Sequence, residues 1–426
     1  VKAIVVSLLI IACLALPAAS LAADPAVAEL LKEIKELKAR VAGLEKQLAG
    51  HQARTEEASQ AAAQAQQMAQ QAQQEAQLVH KTLLGTEAGS IKASREAETA
   101  PRPKEGLVTA AGKKLSVHGH LKVEGVYSRT QPGSGPSQSD SRFQVRTAEI
   151  FFTGQINPYL QGVLHFLYEE GFSGVEMDEA FLLLGRTGDM PFYALAGRIY
   201  PAVGLFETYL VTDPVTKQVF ETRQAALELG YAGRWLLASL GGYNAGVHEA
   251  GDGGDSNLNS FYARADLVTP EGALGGLKLR LGAAYTSNIA DSKFLVDQVP
   301  GQTLASLVSA LSVNASASYG LWAFTGEYIA AGEFNPGELS FAPAGVRPQP
   351  YAFNLELAFM PWDKWTFAVR YEGGGDLYAQ QPERAWGGAV TWQFLPDTTL
   401  AVEYMRGEFM DGATRDLVTT QIGVAF

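Results

Sequence analysis

Charged side chains recur inside strictly alternating stretches of this chain. Glu327, Glu356, Glu372 and Glu403 sit between neighbours such as Leu355 and Leu357, or Val402 and Tyr404, and Arg264, Arg280 and Arg370 have the same setting. Successive side chains of a strand point to opposite faces, so the charges share one face and the apolar groups take the other. A face of that kind suits a water-filled bore, where fixed charges of both signs sort solutes by size and polarity.

A second candidate is a connection. The stretch GLFETYLVTDPVTKQVFETR, from Gly204 to Arg223, has neither strand alternation nor helix caps. Connections beyond about 12–15 residues are usually functional or disordered, and this one is too apolar for a solvated linker. Leu205, Phe206, Tyr209, Leu210 and Val211 suit the inner wall of a bore. Glu207, Asp213, Lys217, Glu221 and Arg223 would then face water and line a constriction.

Other chemistry is thin. His118 and His120 share a strand face, but no third ligand lies near them, so they read as polar lumen groups; no metal site and no cofactor is expected. Gly251 to Ser256 reads as a flexible hairpin rather than a calcium turn. The chain lacks an HExxH pair, a phosphate-binding glycine loop and a nucleophile elbow, which argues against an enzyme. Its formal net charge of −12 argues against a nucleic-acid partner.

The elements that must position these residues are strands. About sixteen candidates follow one another from 115–129 to 415–426. Their connections alternate in length: short at 157–158, 186–190, 232–233, 269–275, 320, 361–363 and 396–397, and mostly long in between, at 130–141, 201–221, 248–259, 288–307, 332–349 and 374–383. Short turns on one side and long loops on the other belong to outer-membrane barrels, with the short side periplasmic. Backbone groups in lipid must all be paired, so a spanning sheet has to close. Tyr159, Trp235, Trp362 and Trp365 near the short turns fit an aromatic girdle. With the N-terminus in the periplasm, 201–221 is the third external loop, the one that folds into the lumen of general porins.

Upstream, Lys2, an apolar run to Leu16 and small residues through Ala23 have the layout of a secretory signal peptide, cut after Ser20-Leu21-Ala22. The sole cysteine, Cys13, lies inside it. Val27, Leu30, Ile34, Leu37, Val41, Leu44 and Leu48 alternate spacings of three and four, the seam of a coiled coil. The expected organisation is a signal peptide at 1–22, a coiled coil at 24–84, a linker at 85–114 and a barrel at 115–426. The fold class expected is therefore an all-β transmembrane barrel of about sixteen antiparallel strands in outer-membrane lipid, preceded by a periplasmic α-helical coiled coil that assembles homodimers or trimers.

YEEGFSGVEMDEAFLLLG and FYALAGRIYPAVGLFETYLVTDPVTKQVFETRQAALELGY, with the signal, coiled coil and linker before them, resemble the LbtU-like siderophore porins. The likeness is densest from Phe151 to Tyr231. It implies an outer-membrane barrel that takes a ferric siderophore as its solute, and it carries over Arg198, Phe206, Glu207, Thr208, Asp213, Pro214, Glu221, Thr222 and Arg223 as shared motif residues. Two alternatives stay open: a phosphate-type anion-selective or general porin, and a structural tether or sheath of a multiprotein conduit.

Overall fold

A computed structural model of the chain describes residues 108–426, apart from 111–112, 172–173, 186–189, 252–257 and 271. The expected signal peptide, the coiled coil and most of the linker lie outside the described residues. A three-residue strand, Val108–Ala110, pairs with Lys113 to Leu115. The barrel strands are β1 (Lys113–Gln131), β2 (Gln138–Asn157), β3 (Leu160–Glu169), β4 (Val175–Gly185), β5 (Phe192–Ile199) and β6 (Gln224–Ala232). They continue as β7 (Leu236–Tyr243), β8 (Ser260–Val268), β9 (Lys278–Thr286), β10 (Ala310–Tyr319) and β11 (Trp322–Ala331). The last are β12 (Tyr351–Trp362), β13 (Trp365–Gly375), β14 (Arg384–Leu395), β15 (Thr398–Glu408) and β16 (Thr414–Ala425).

Each strand pairs antiparallel with the next, and β16 returns to β1, from Thr414 opposite Gln131 to Ala425 opposite His120. Beyond that ladder Phe426 and Gly119 exchange backbone hydrogen bonds of 2.7 and 3.0 Å. The sheet is thus closed. A Cβ on Gly119 would stand 2.7 Å from the Phe426 ring, so this seam has room only for glycine unless the ring moves.

Alternation places the residues as expected. Along β12, Tyr351, Leu355 and Leu357 are exposed on the outside, while Ala352, Asn354, Glu356 and Ala358 are buried inside. Short turns at 158–159, 233–235, 320–321, 363–364 and 396–397 mark one end, and exposed Tyr159, Trp235, Trp322 and Trp362 lie beside them. Connections at 200–223, 244–259, 287–309 and 332–350 mark the other end.

The interior is less uniformly polar than the alternation suggests. On β4 to β8, Phe181, Leu183, Tyr193, Leu195, Ile199, Leu237 and Tyr262 form a buried apolar cluster. Glycines make room for it: Tyr193 lies opposite Gly230 and Tyr262 opposite Gly241, and a Cβ on Gly230 would stand 2.0 Å from the Tyr193 ring. Both tyrosine hydroxyls donate to Glu228, at 3.0 and 2.6 Å, so this buried carboxylate is hydrogen-bonded inside an apolar sector.

The long connections share a second apolar core. Val203, Phe206 and Phe220 come from 200–223, Val247 from 244–259, Leu295 and Leu304 from 287–309, Phe334 and Leu339 from 332–350, and Leu377 from 376–383. Asp291 ties three parts of this region together. It accepts from the Gly246 and Val247 amides at 2.8 and 3.1 Å and from the Gln224 side chain. Burial pushes its carboxyl up from 3.8 to about 6, against the opposing pull of those donors.

Two measurements follow from this packing. Gly230→Val should cost about 1–3 kcal/mol by overpacking, read as a lower urea midpoint for unfolding in detergent, and Tyr193→Ala in the same chain should recover part of it; an unchanged midpoint contradicts the packing. For Asp291 the folded value lies above the ordinary one, so its stabilising effect is complete at acid pH. That effect is lost as pH rises from about 4 to about 6, and amounts to about 3 kcal/mol. Hydrogen exchange at the Val247 amide, corrected for intrinsic pH dependence, should therefore lose protection across that window, and Asp291→Asn should flatten the profile.

Candidate functional site

The connection 200–223, here L3, leaves the rim between β5 and β6 and makes its bonds halfway round the ring. The Leu205 and Phe206 amides both donate to Glu327 on β11, the second at 3.2 Å. The Tyr209 amide donates to Glu356 on β12 at 2.6 Å. Val211 and Thr212 donate to Glu403 on β15, the amides at 2.5 and 3.1 Å and the Thr212 hydroxyl at 2.6 Å. In a closed ring of sixteen strands, a segment rooted between β5 and β6 that reaches β11, β12 and β15 has crossed the bore.

L3 then forms α1 (Val215–Phe220), a helix the sequence did not signal. Pro214 at its N-cap offers no side-chain bond. The Val215 amide instead donates to Glu372 on β13 at 2.8 Å. An N-terminal helix amide needs an acceptor, and the wall supplies it from far away in sequence. Gly204 and Phe206 shape the first turn. Phe206 has φ 53°, uncommon for a bulky residue, and a Cβ on Gly204 would stand 2.3 Å from the Phe206 ring.

Two arginines complete the anchoring. Arg370 is buried and bonds Glu356 at 2.8 Å, the Thr212 carbonyl at 2.8 Å and the Thr208 hydroxyl. Arg264 makes two bonds of 2.8 Å to Asp266 and donates to the Gly204 carbonyl at 2.7 Å. Hydrogen bonds to charged groups contribute about 1.5–3 kcal/mol each, and stranding one partner costs more. L3 is therefore a fixed element of the barrel interior. Burial, with Glu207 and Glu356 nearby, pushes the Tyr209 hydroxyl up to about 12, so it stays neutral.

The structure reassigns several of the residues singled out above. Glu327, Glu356, Glu372 and Glu403 do face inward, but they are spent on L3 amides instead of lining open water, because a backbone segment inside the bore needs acceptors. Arg264 and Arg370 are likewise occupied. Arg280 pairs with Asp266 at 2.9 Å and stands 3.8 Å from Glu207. Asp213 and Glu221 lie 3.1 and 3.9 Å from Lys217. Arg223 bonds Asp178 and, at 3.1 Å, Glu176 on β4. Arg198 is not brought to this group: it is exposed on β5 with the parity opposite to buried Tyr193, Leu195 and Ile199, so it points out of the barrel.

A cluster that sequence reasoning missed lies at the return of L3. Phe151 on β2 stacks between His118 of β1, at 4.8 Å, and His165 of β3, at 3.8 Å. The register of β3 and β4 shifts here: His165 is opposite Glu179 and Phe166 is opposite Met177, so Asp178 is the extra residue of a bulge. A bulge re-aims side chains, and this one turns consecutive acids toward the same histidine. Nδ1 of His165 is 3.0 Å from Asp178 and 3.9 Å from Glu179, and Nε2 is 3.5 Å from Glu149. The adjacent sector is polar. Glu124 accepts from Gln144 at 3.3 Å and Gln421 at 2.7 Å, and Arg146 pairs with Glu169 at 3.0 Å.

No protein-family model matches the chain. It is 29% identical over 311 residues to a UPF0422 protein of Coxiella burnetii (strain RSA 493 / Nine Mile phase I), covering 67% of this chain and 62% of that one. It is 22% identical over 341 residues to UPF0422 protein lpl2888 of Legionella pneumophila (strain Lens), covering 68% and 63%. The chain thus spans less than two thirds of the length of these curated relatives. The outer membrane channel DcaP of Acinetobacter baumannii superposes with a TM-score of 0.52 at 12% identity, over 76% of this chain and all of that one. Salmonella typhi OmpF in complex with daunomycin gives 0.52 at 12% identity, over 75% and 99%. An anion-selective porin from Comamonas acidovorans gives 0.51 at 12% identity, over 74% and 100%. At such identity the likeness speaks to architecture, and the chain has the closed sixteen-strand barrel fold of porins.

Proposed function

We propose that the chain is an outer-membrane porin that passes small hydrophilic solutes, iron chelates of the siderophore type among them, by passive or facilitated diffusion. The observation that carries the channel reading is the course of L3, fixed across a closed barrel by carboxylates of β11, β12, β13 and β15. The sector on β16 and β1 to β3 keeps its polar groups and supplies the path. The apolar outer face with aromatic groups beside the short turns supports a bilayer location, and porin architecture supports the outer membrane. The siderophore assignment draws on the motif around Gly204–Arg223. Acidic groups along the polar sector, Glu124, Glu149 and Glu169 beside Arg146, weigh against phosphate-type selectivity. The segment 24–84 is proposed as a periplasmic coiled coil that joins barrels into dimers or trimers.

In planar bilayers, deleting Gly204–Lys217 should raise single-channel conductance while the barrel keeps its heat-modifiable migration on gels. Equal conductance removes L3 as the constriction, and absence of any current removes the channel reading. A strain lacking the protein should grow poorly with ferric siderophore as iron source and normally under phosphate limitation; the reverse pattern assigns an anion. Removing 24–84 should reduce the detergent-solubilised particle to a single barrel, and an unaltered mass refutes the coiled coil as the assembly device.

A further inference from the structure

The cluster at His165 has no role in holding L3 to the far wall. Neither ring nitrogen makes a hydrogen bond of acceptable geometry, although the residue is only 6% exposed and carboxylate oxygens surround it. Its partners are ion pairs instead, at 3.0 Å from Nδ1 to Asp178 and 3.5 Å from Nε2 to Glu149. The arrangement suits a different occupant of the space between the ligand atoms. One donor atom each from His165, Asp178 and Glu179 lies within 4.8 Å of the other two. Donors around a tetrahedral ion at about 2.0–2.2 Å are about 3.4 Å apart, between the 3.0 and 3.9 Å seen from Nδ1.

We propose that His165, Asp178 and Glu179 form a binding site for a divalent first-row transition cation on the wall of the bore. Imidazole with carboxylates suits zinc, copper, nickel and ferrous iron. The surroundings are those of a metal ligand set. With Nδ1 on the cation, Nε2 is left 3.5 Å from the Glu149 carboxylate. Phe151, stacked at 3.8 Å and 14°, fixes the ring plane. Asp178 is oriented by the Tyr200 hydroxyl, 2.8 Å from Oδ1 and 3.0 Å from Oδ2, and by Arg223 on Oδ1, while Oδ2 also stands 3.0 Å from the histidine. Glu149, Glu176, Asp178 and Glu179 gather four carboxyl groups around His165 and Arg223, a donor-rich setting for a dication. Binding requires a neutral imidazole and releases any proton it carries. Arg223 and Tyr200 belong to the ends of L3, which makes the cation a link between β3, β4 and that segment. This inference holds whichever solute the channel passes.

The test is calorimetric titration of the chelator-treated full chain in detergent with Zn2+ alone. One ion per chain is expected to bind in a manner that His165→Ala and Asp178→Asn each weaken at least tenfold, with Glu179→Gln in the same direction. Tyr200→Phe, which removes only an orienting bond, should weaken binding about tenfold, and His118→Ala should leave it unchanged. Heat-modifiable migration identifies variants that fold. X-ray absorption on the unmutated protein gives a reading free of variants, with one imidazole among oxygen donors expected. Equal affinity in folded His165→Ala, no ion bound by the unmutated chain, or a shell of several imidazoles overturns the proposal.

Discussion

The barrel depends on one accounting constraint: a backbone N–H or C=O withdrawn from water must find its partner within the protein. The ladder from β1 to β16 and back satisfies it for the wall, since no strand edge is left. The same constraint explains what lies inside. L3 brings irregular backbone into the bore, where its amides would compete poorly for water in a crowded interior. The wall answers with side chains, and each carboxylate takes one or two of those amides.

This places buried charge where it is compensated. Glu356 and Arg370 are 1% and 2% exposed, yet both are held by one another and by L3. Removing one member of such a pair is more damaging than never having had it. A buried ionic network is a poor source of stability and a good source of uniqueness. L3 has one seating that satisfies Glu327, Glu356, Glu372 and Glu403 together. A shift along the wall would strand several charges at once, so position is defined more sharply than apolar packing alone would define it.

Much of this architecture is legible in the order of residues. Alternation along segments such as Tyr351 to Met360 marks strands with one greasy face, and the rhythm of turn lengths assigns the two ends. What escapes has a common cause, long-range pairing. Helix α1 carries no local start signal because its cap is Glu372, far down the chain. The apolar inner sector escapes because in runs such as Ala194-Leu195-Ala196 both faces are apolar, and period two cannot say which is inside. The pairing of Asp178 and Glu179 with His165 depends on a bulge, and a one-residue slip changes which face every later side chain takes. The four wall glutamates were recognised as inward-facing, but their partners are backbone amides of a remote segment, which leave no mark in composition.

The second apolar core, drawn from five separate connections, bears on how this rim of the barrel can be recognised. Its surface is a mosaic of pieces laid over one buried cluster that includes Phe220, Leu295, Phe334 and Leu377. A binding protein raised against the purified chain that grips this rim must span several of those pieces, and a synthetic peptide copied from one of them would not reproduce what it sees. Sequence drift in these connections is correspondingly constrained, since a bulky change in one piece must be matched by its neighbours.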